Sequence, residues 1–287
     1  MSATAVGAGP AAEAPSQAAV LAQMGRENFP VALRVLPVGI RRGLTAIYGF
    51  ARLVDDIGDE AAGDREELLD WLEGDLDRAF AGRPPEHPVL RSLAAELSVR
   101  PLPVEPFRRL IEANRRDQVV TRYETFQDLL DYCRLSAAPV GELVLHVFDA
   151  ATPGRIELSD RVCAGLQVLE HLQDIREDHG RGRIYMPARD MARFECREED
   201  LGAALAADHV RALISLEVDR ARRLLSAGGP LARSLRPAGR LAVAAFVAGG
   251  RAGLSAIERA GYDTLAGGAR ASRRSFVIEW ARGIGGR

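Results

Sequence analysis

Apolar residues recur at three- and four-residue intervals along almost the whole chain, and no stretch alternates apolar and polar residues as a half-buried strand would. That restricts the chain to an all-α fold. The spacing predicts a short helix after Phe29 that ends near Pro37. A long helix follows over about Val38–Asp59, with Ile40, Leu44, Ile47, Phe50 and Val54 on one face. Further helices are expected at about Arg65–Ala81, Pro88–Ser98 and Val104–Arg115, with Pro84 and Pro85 marking a loop between the first two. Thr125–Phe148 reads as one helix with Pro139 in its middle, where the missing N–H must kink or break it. Leu158–Glu177 is strongly helical, and Gly180 and Gly182 then open a loop through Arg183–Pro187. Helices at about Glu198–Ser226 and Pro237–Ala260 complete the pattern. Gly249, Gly250 and Gly253 inside the last cost about 1 kcal/mol each against alanine in an exposed helix, so another element or a ligand should pack closely there. Residues 1–20, rich in Ala, Gly and Pro, read as a disordered leader and not a signal peptide, and 21–287 as a single domain.

Composition removes several function classes. A formal net charge of −2 gives no field that would draw the chain to nucleic acid. All 38 basic residues are arginine, which excludes a lysine Schiff base and any phosphate loop that needs lysine. Cys133, Cys163 and Cys196 are odd in number, far apart and without a CxxC, which argues against a disulfide framework or a zinc site and fits a reducing cytoplasm. The five histidines do not cluster: His146, His171 and His179 lie near polar segments, but no ExxH pair marks a di-iron bundle. The longest apolar run, around Leu241–Ala248, is too short to span a bilayer. A cytoplasmic protein is expected, with at most peripheral contact at the inner face of the membrane.

Two acidic constellations stand out. In YGFARLVDDIGDE, Asp55 and Asp59 are four residues apart, and in LEHLQDIREDHGRGRIYMP, Asp174 and Asp178 repeat the spacing. On a helix such residues share a face, with Cβ atoms about 5–6 Å apart. Spacing alone is weak: 40 acids in 287 residues supply roughly five or six such pairs by chance, most of them solvated surface. Context strengthens the case. Each pair ends a strongly apolar helix, where the dipole disfavours anions. Each has arginines nearby, Arg52 for the first and Arg176, Arg181 and Arg183 for the second. Carboxylates for Mg²⁺ and guanidinium forks for phosphate oxygens are what a Mg²⁺-diphosphate needs.

With these motifs in order, the chain resembles the squalene and phytoene synthase family from about Arg26 to Tyr262. Asn28–Glu60 is similar to the family's opening helices and first aspartate motif. Thr121–Leu143 resembles its central helix with a YC…VG pattern, and LQ…QDIRED…GRIYMP its second motif and RxYxP loop. The resemblance implies an isoprenoid synthase helical bundle around a deep central apolar pocket, with the two aspartate motifs facing each other. It implies Mg²⁺ ligation by Asp55, Asp59, Asp174 and Asp178, substrate contacts from Tyr48, Arg52 and Gln167, and a diphosphate contact from the segment Gly25–Asn28, Asn28 included. Arg183 and Tyr185 lie in the RIYMP loop, where Tyr185 either reaches the diphosphate or caps the pocket wall. Leu129, Val140, Val144, Leu166 and Leu169 are lining candidates whose plainer reading is core.

Three positions depart from the family pattern: Glu170 stands where Asn is common, Gln173 where Arg is common, and Gly250 where Tyr is often found. Segments such as IYGFARLVDDIGDE, RLSAAPVG and FVAGG are most similar to the bacterial hydroxysqualene synthase branch. That branch implies ionisation of presqualene diphosphate, rearrangement, and quenching by water without NAD(P)H. A polar group must then hold the water. Asn114, Asp117, Glu142 and Glu170 are candidates, with Asp117 and Glu170 favoured by their place in apolar helices, and Glu170 equally readable as a further metal ligand. Head-to-head condensation of two prenyl diphosphates is the alternative reaction, and an inactive helical scaffold of the same superfamily the alternative class. Upstream and downstream pathway enzymes would be the natural partners.

Overall fold

The computed structural model describes residues 14–25, 32, 34–267 and 269–285. Among them it forms fifteen α-helices and no strand, with one isolated parallel bridge joining Arg122 to Ile184. A short helix α1 (Gln17–Ala22) precedes α2 (Val38–Glu60), which packs against α3 (Arg65–Phe80), α4 (Pro88–Leu97) and α5 (Glu105–Asp117). Next come α6 (Phe126–Ser136), α7 (Ala138–Val147) and the long α8 (Pro153–Gln173), followed by three short helices, α9 (Ile175–Gly180), α10 (Ala188–Arg193) and α11 (Glu198–Leu201). The chain closes with α12 (Asp208–Leu225), α13 (Gly228–Arg233), α14 (Pro237–Arg259) and α15 (Arg273–Gly285). Helix α12 packs along α8, and α15 along α14.

Apolar burial divides into two clusters. One joins α2 to α5, through Phe50, Leu53, Leu72, Leu90 and Phe107. The other joins α6, α8, α12 and α14, through Leu129, Leu169, Leu213, Val218 and Leu254. A cavity of about 920 Å³ opens between them and takes wall residues from both, Leu44 and Ile47 on one side, Val162 and Val243 on the other. The helices begin where the local chemistry supplies partners for free N–H groups. Asp64 caps α3 at Glu66 and Glu67, and Thr125 with Asp128 forms a reciprocal cap on α6. The buried Asp75 carboxylate accepts from the backbone of Glu86 (2.7 Å) and His87 (2.9 Å), which pins the proline loop after α3.

The differences from the sequence expectations have local causes. Pro139 breaks its helix instead of bending it: the chain turns at Ala137 (φ −116°, ψ −44°) and restarts as α7. The helix expected over Leu158–Glu177 stops with Asp174 as its C-cap, although Asp178 N still donates to Asp174 O (2.8 Å), so one turn joins the two acids. The helix expected from Glu198 is interrupted at Gly202–Ala207. There Ala206 N donates to Asp263 Oδ1 (3.0 Å) and Ala206 O accepts from Arg211 Nε (2.8 Å), so tertiary bonds take groups a helix would have used.

Residues 34–37 form turns rather than the end of a helix, and the rest of the segment from Phe29 to 33 lies outside the described residues apart from residue 32. The expected leader lies outside them up to residue 13, but Gln17–Ala22 is helical, capped by Ser16, with Val20 fully buried. Helices α10, α13 and α15 were not foreseen from the pattern. Helix α15 is held by tertiary contact, Trp280 Nε1 donating to Leu241 O (3.3 Å).

Helix α14 as a whole is long and apolar enough to cross a membrane, unlike the run Leu241–Ala248 taken alone, but 72% of its apolar window is buried inside the structure, as in a core helix. Its glycines answer the close packing expected. A Cβ on Gly250 would lie 2.7 Å from Leu166 Cδ2, and one on Gly253 2.7 Å from Leu169 Cδ2. Gly228, at the start of α13, sits against Val247 of α14, and an added Cβ would lie 2.2 Å from Cγ2 and 3.3 Å from Cβ of that stiff, β-branched side chain. Gly228→Ala should therefore cost about 1–3 kcal/mol by overpacking, read as a lower urea midpoint at unchanged slope. An unshifted midpoint would mean that α13 can move off α14 freely.

Candidate active site

The apolar face of α2 fixes the first acidic pair. Leu53, Val54 and Ile57 are fully buried, which turns Asp55 toward the cavity and leaves Asp59 one turn nearer the helix end. Asn114 on α5 donates from Nδ2 to Asp55 Oδ1 (3.1 Å). It reaches there only because residue 58 is glycine: a Cβ at Gly58 would lie 2.1 Å from Asn114 Oδ1. On the cavity wall, Arg52 pairs with the buried Asp56 (Nε–Oδ1 2.7 Å).

The second pair comes from the junction of α8 and α9. Asp174 lines the cavity, and Asp178 stands 4.0 Å from His171 Nδ1. The loop after α9 folds back to the first motif. Arg183 donates to Asp59, while Arg181 lies 3.8 Å from both Asp59 and Glu60 and pairs with Glu177 at 2.9 Å. The two motifs thus meet, bridged by guanidinium groups.

Their electrostatics are those of a site short of positive charge. Asp55 touches open cavity space yet is surrounded by protein, and burial with the nearby Asp59 charge pushes it up to about 7 against the Asn114 bond. Burial, then the Asp174 charge, pushes Asp178 up to about 8, with Asp59 adding to the shift. Asp174 is raised too, by burial and then Glu177. His171 does not compensate, because burial drives it down to about 3 and it is neutral.

Of the other residues singled out in the sequence, Tyr48, Arg52, Gln167 and Glu170 line the cavity, as do Val140, Val144 and Leu166. Leu129 and Leu169 belong to the core behind it. Asn28 lies outside the described residues. Asp117 is not part of the cavity wall: it is buried behind the loop, its Oδ2 accepting from Tyr132 OH at 2.5 Å, and burial raises it to about 6. Tyr185 likewise stays off the wall, stacked on His171 with ring centroids 3.7 Å apart. Glu142 pairs with Arg109 and Asn114 with Asp55, and neither lines the cavity. Sequence reasoning missed Ser136, Thr264 and Arg270, which line the cavity. Arg270 carries an arginine signal but lies beyond the last helix assigned from the pattern, and it offsets the Asp174 charge.

This donor set fits a hard divalent cation. Oxygen ligands are clustered, raised toward neutrality by burial and one another, and relieved when a cation arrives. Among the described residues the motif carboxylates do not close into a three-ligand cage of their own. An ion here would share its coordination with ligand oxygens and water, as Mg²⁺ does. Because the native state holds the Asp178 proton more tightly than the unfolded chain does, the stability this carboxyl contributes to the cation-free fold is lost as pH rises from about 4 to about 8. In divalent-free buffer Asp178→Asn should melt higher than the parent protein, with a gap that grows across that window. A gap that shrinks with pH would reverse the electrostatic assignment.

Comparison with known proteins adds a separate line of similarity. The sequence profile described as "Squalene/phytoene synthase" matches residues 22–276. A hydroxysqualene synthase of Rhodopseudomonas palustris is 36% identical over 177 residues, 61% of this chain and 60% of the relative. A 15-cis-phytoene synthase of Synechococcus elongatus is 32% identical over 207 residues, 67% of each chain. The chain thus aligns with about 60% of the length of the first of these curated relatives. The crystal structure of the squalene synthase HpnC from Alicyclobacillus acidocaldarius superposes with a TM-score of 0.74 at 41% identity, covering 88% of this chain and 98% of the other.

Proposed function

The chain belongs to the squalene/phytoene synthase family, and on that premise we propose that it is a Mg²⁺-dependent enzyme converting presqualene diphosphate to hydroxysqualene with release of diphosphate. One observation carries the reading. The cavity joins a large apolar chamber to an end where two acidic motifs and several arginines converge. Its volume of about 920 Å³ is near the top of the range of roughly 300–1,000 Å³ usual for small-molecule sites, as a long hydrocarbon diphosphate requires. The hydroxysqualene synthase relative and the 41% identical squalene synthase structure support the choice of substrate.

Each part of the chain then has a task. Asp55, Asp59, Asp174 and Asp178 would hold Mg²⁺, which when bound neutralises the departing diphosphate. Arg52 on the wall and Arg181 and Arg183 at the junction of the motifs present forks to phosphate oxygens, and Tyr48 and Gln167 flank the substrate, with Asn28 at the diphosphate. Val140, Val144, Leu166 and Phe246 exclude water and other nucleophiles while the cation rearranges. In the last step a water oxygen bonds to the cationic carbon and loses its proton. Glu170 is the favoured carboxylate to hold that water, because it lines the cavity and Asp117 does not; its alternative task is a further Mg²⁺ contact. No nicotinamide takes part. A cytoplasmic enzyme that passes an apolar product on to pathway partners, with peripheral membrane contact, fits this reaction.

Head-to-head condensation of two prenyl diphosphates is the second reading, favoured by the similarity to the phytoene synthase. Purified protein given presqualene diphosphate and Mg²⁺ without reductant should yield hydroxysqualene and diphosphate, and chelation should stop it. A C30 or C40 hydrocarbon formed from farnesyl or geranylgeranyl diphosphate, with no turnover of presqualene diphosphate, would transfer the assignment to the second reading. Asp55→Ala and Asp174→Ala should each lower kcat/KM by about 10²-fold or more. Glu170→Gln should change the product ratio or the Mg²⁺ response, and constancy of both would remove Glu170 from the site.

A further inference from the structure

Away from the cavity, three side chains of different chemistry converge: Cys196 Sγ, a carboxylate oxygen of Asp200 and a ring nitrogen of His209 all lie within 4.8 Å of one another. We propose that they form a binding site for one borderline transition-metal ion of the Zn²⁺ class, against the expectation from cysteine spacing, because the fold brings a single cysteine together with ligands of other types. The inference is independent of the reaction assigned to the cavity.

The fold assembles the trio from three elements. After α10 the chain turns through Glu195 in a left-handed conformation (φ 54°), which tucks Cys196 into the core cluster at 6% exposure. Asp200 lies in α11 and His209 in the first turn of α12, and the interruption between those helices lets the two meet. His209 Nε2 is 3.3 Å from Asp200 Oδ2, about the edge of a tetrahedron with metal–N and metal–O bonds of roughly 2.0–2.1 Å. The buried sulfur and the more open imidazole and carboxylate give an ion a path in and leave a fourth position for water.

The ligand type separates this site from the acidic motifs. One sulfur, one nitrogen and one oxygen suit Zn²⁺ or Co²⁺ and not Mg²⁺. Asp200 Oδ2 also accepts from Arg197 N (2.8 Å), and the Arg197 guanidinium stands 3.9 Å from Oδ1, but a carboxylate keeps lone pairs beyond these contacts. Cys196 Sγ has only a weak contact to Arg197 O at 3.6 Å. On binding, the S–H proton passes to solvent and the sulfur lone pair takes the ion, with no change of oxidation state. The ion would brace α11, whose Glu198 grips Arg122 through both oxygens (2.8 Å each) while Arg122 donates to Gly182 O (2.7 Å), the residue before Arg183. The site therefore sits behind the loop that reaches the first acidic motif.

Full-length protein stripped of metal and titrated with Co²⁺ tests this directly. A thiolate-to-cobalt charge-transfer band should saturate at about one ion per chain, with release of about one proton. The band should vanish in Cys196→Ser, and His209→Gln should weaken binding by about tenfold or more. The acidic motifs contain no sulfur, so Co²⁺ bound there adds nothing to that band. The partly exposed ring of His209, outside the core, keeps the test open should the core cysteine variant fail to fold. No band in the parent protein, a band that survives Cys196→Ser through Cys133 or Cys163, or unchanged affinity in His209→Gln would each overturn the proposal.

Discussion

Four carboxylates gathered where α2 ends and where α8 gives way to α9 are the constraint on which the rest of the site turns. They repel, the C-terminal dipole of α2 opposes Asp59 and that of α8 opposes Asp174, and the surrounding protein thins the water that would screen them. Everything around them reads as partial compensation. Arg183 and Arg181 reach across from the loop after α9 to Asp59, Arg52 covers Asp56, and Asn114 supports Asp55 through the space left by Gly58. Compensation stops short of neutrality, since Asp55 and Asp178 still lie near 7 and 8. A site left in that state would be relieved by a small cation with open coordination positions, which is what the proposed diphosphate chemistry calls for.

The apolar chamber depends on the same arrangement. Away from their acid ends α2 and α8 also supply hydrocarbon to the cavity wall, Leu44 and Ile47 from α2 and Val162 and Leu166 from α8, beside polar residues such as Tyr48 and Gln167. The two core clusters keep the helices apart without filling the gap. Gly250 and Gly253 bring α14, itself part of the cavity wall through Val243 and Phe246, close against Leu166 and Leu169 of α8.

Most of this was legible in the sequence, and the misses follow from physics that acts at a distance. The long helices came from periodicity alone, since α2 and α14 match the expected spans to within one residue at each end. Pro139 announced a discontinuity, but only packing decided that α6 and α7 would separate fully. The break at Asp174 and the gap before Asp208 carry no proline, and they arise where caps and tertiary bonds such as Ala206 to Asp263 replace helical ones. The pairing of Asp59 with Arg183 joins residues 124 positions apart, which spacing cannot reveal. Asp117 looked like a cavity residue because it is an acid in an apolar helix. The structure gives a different reason for its burial, the Tyr132 hydroxyl.

The absence of lysine acquires a physical meaning at this site. Every cation near the acids is a guanidinium, which keeps its charge at any pH the fold survives and presents fixed, planar donors. His171, the imidazole nearest Asp178, is held neutral by burial. The guanidinium charge that touches the motif carboxylates is therefore constant, and among the groups in contact there the carboxylates carry the change of net charge through the neutral range. Cation binding and carboxylate ionisation then become one linked event: raising the pH frees ligands, and the arriving ion removes the repulsion that ionisation creates. What arginine adds over lysine here is the planar fork that meets two oxygens at once, while the linkage itself rests on the carboxylates.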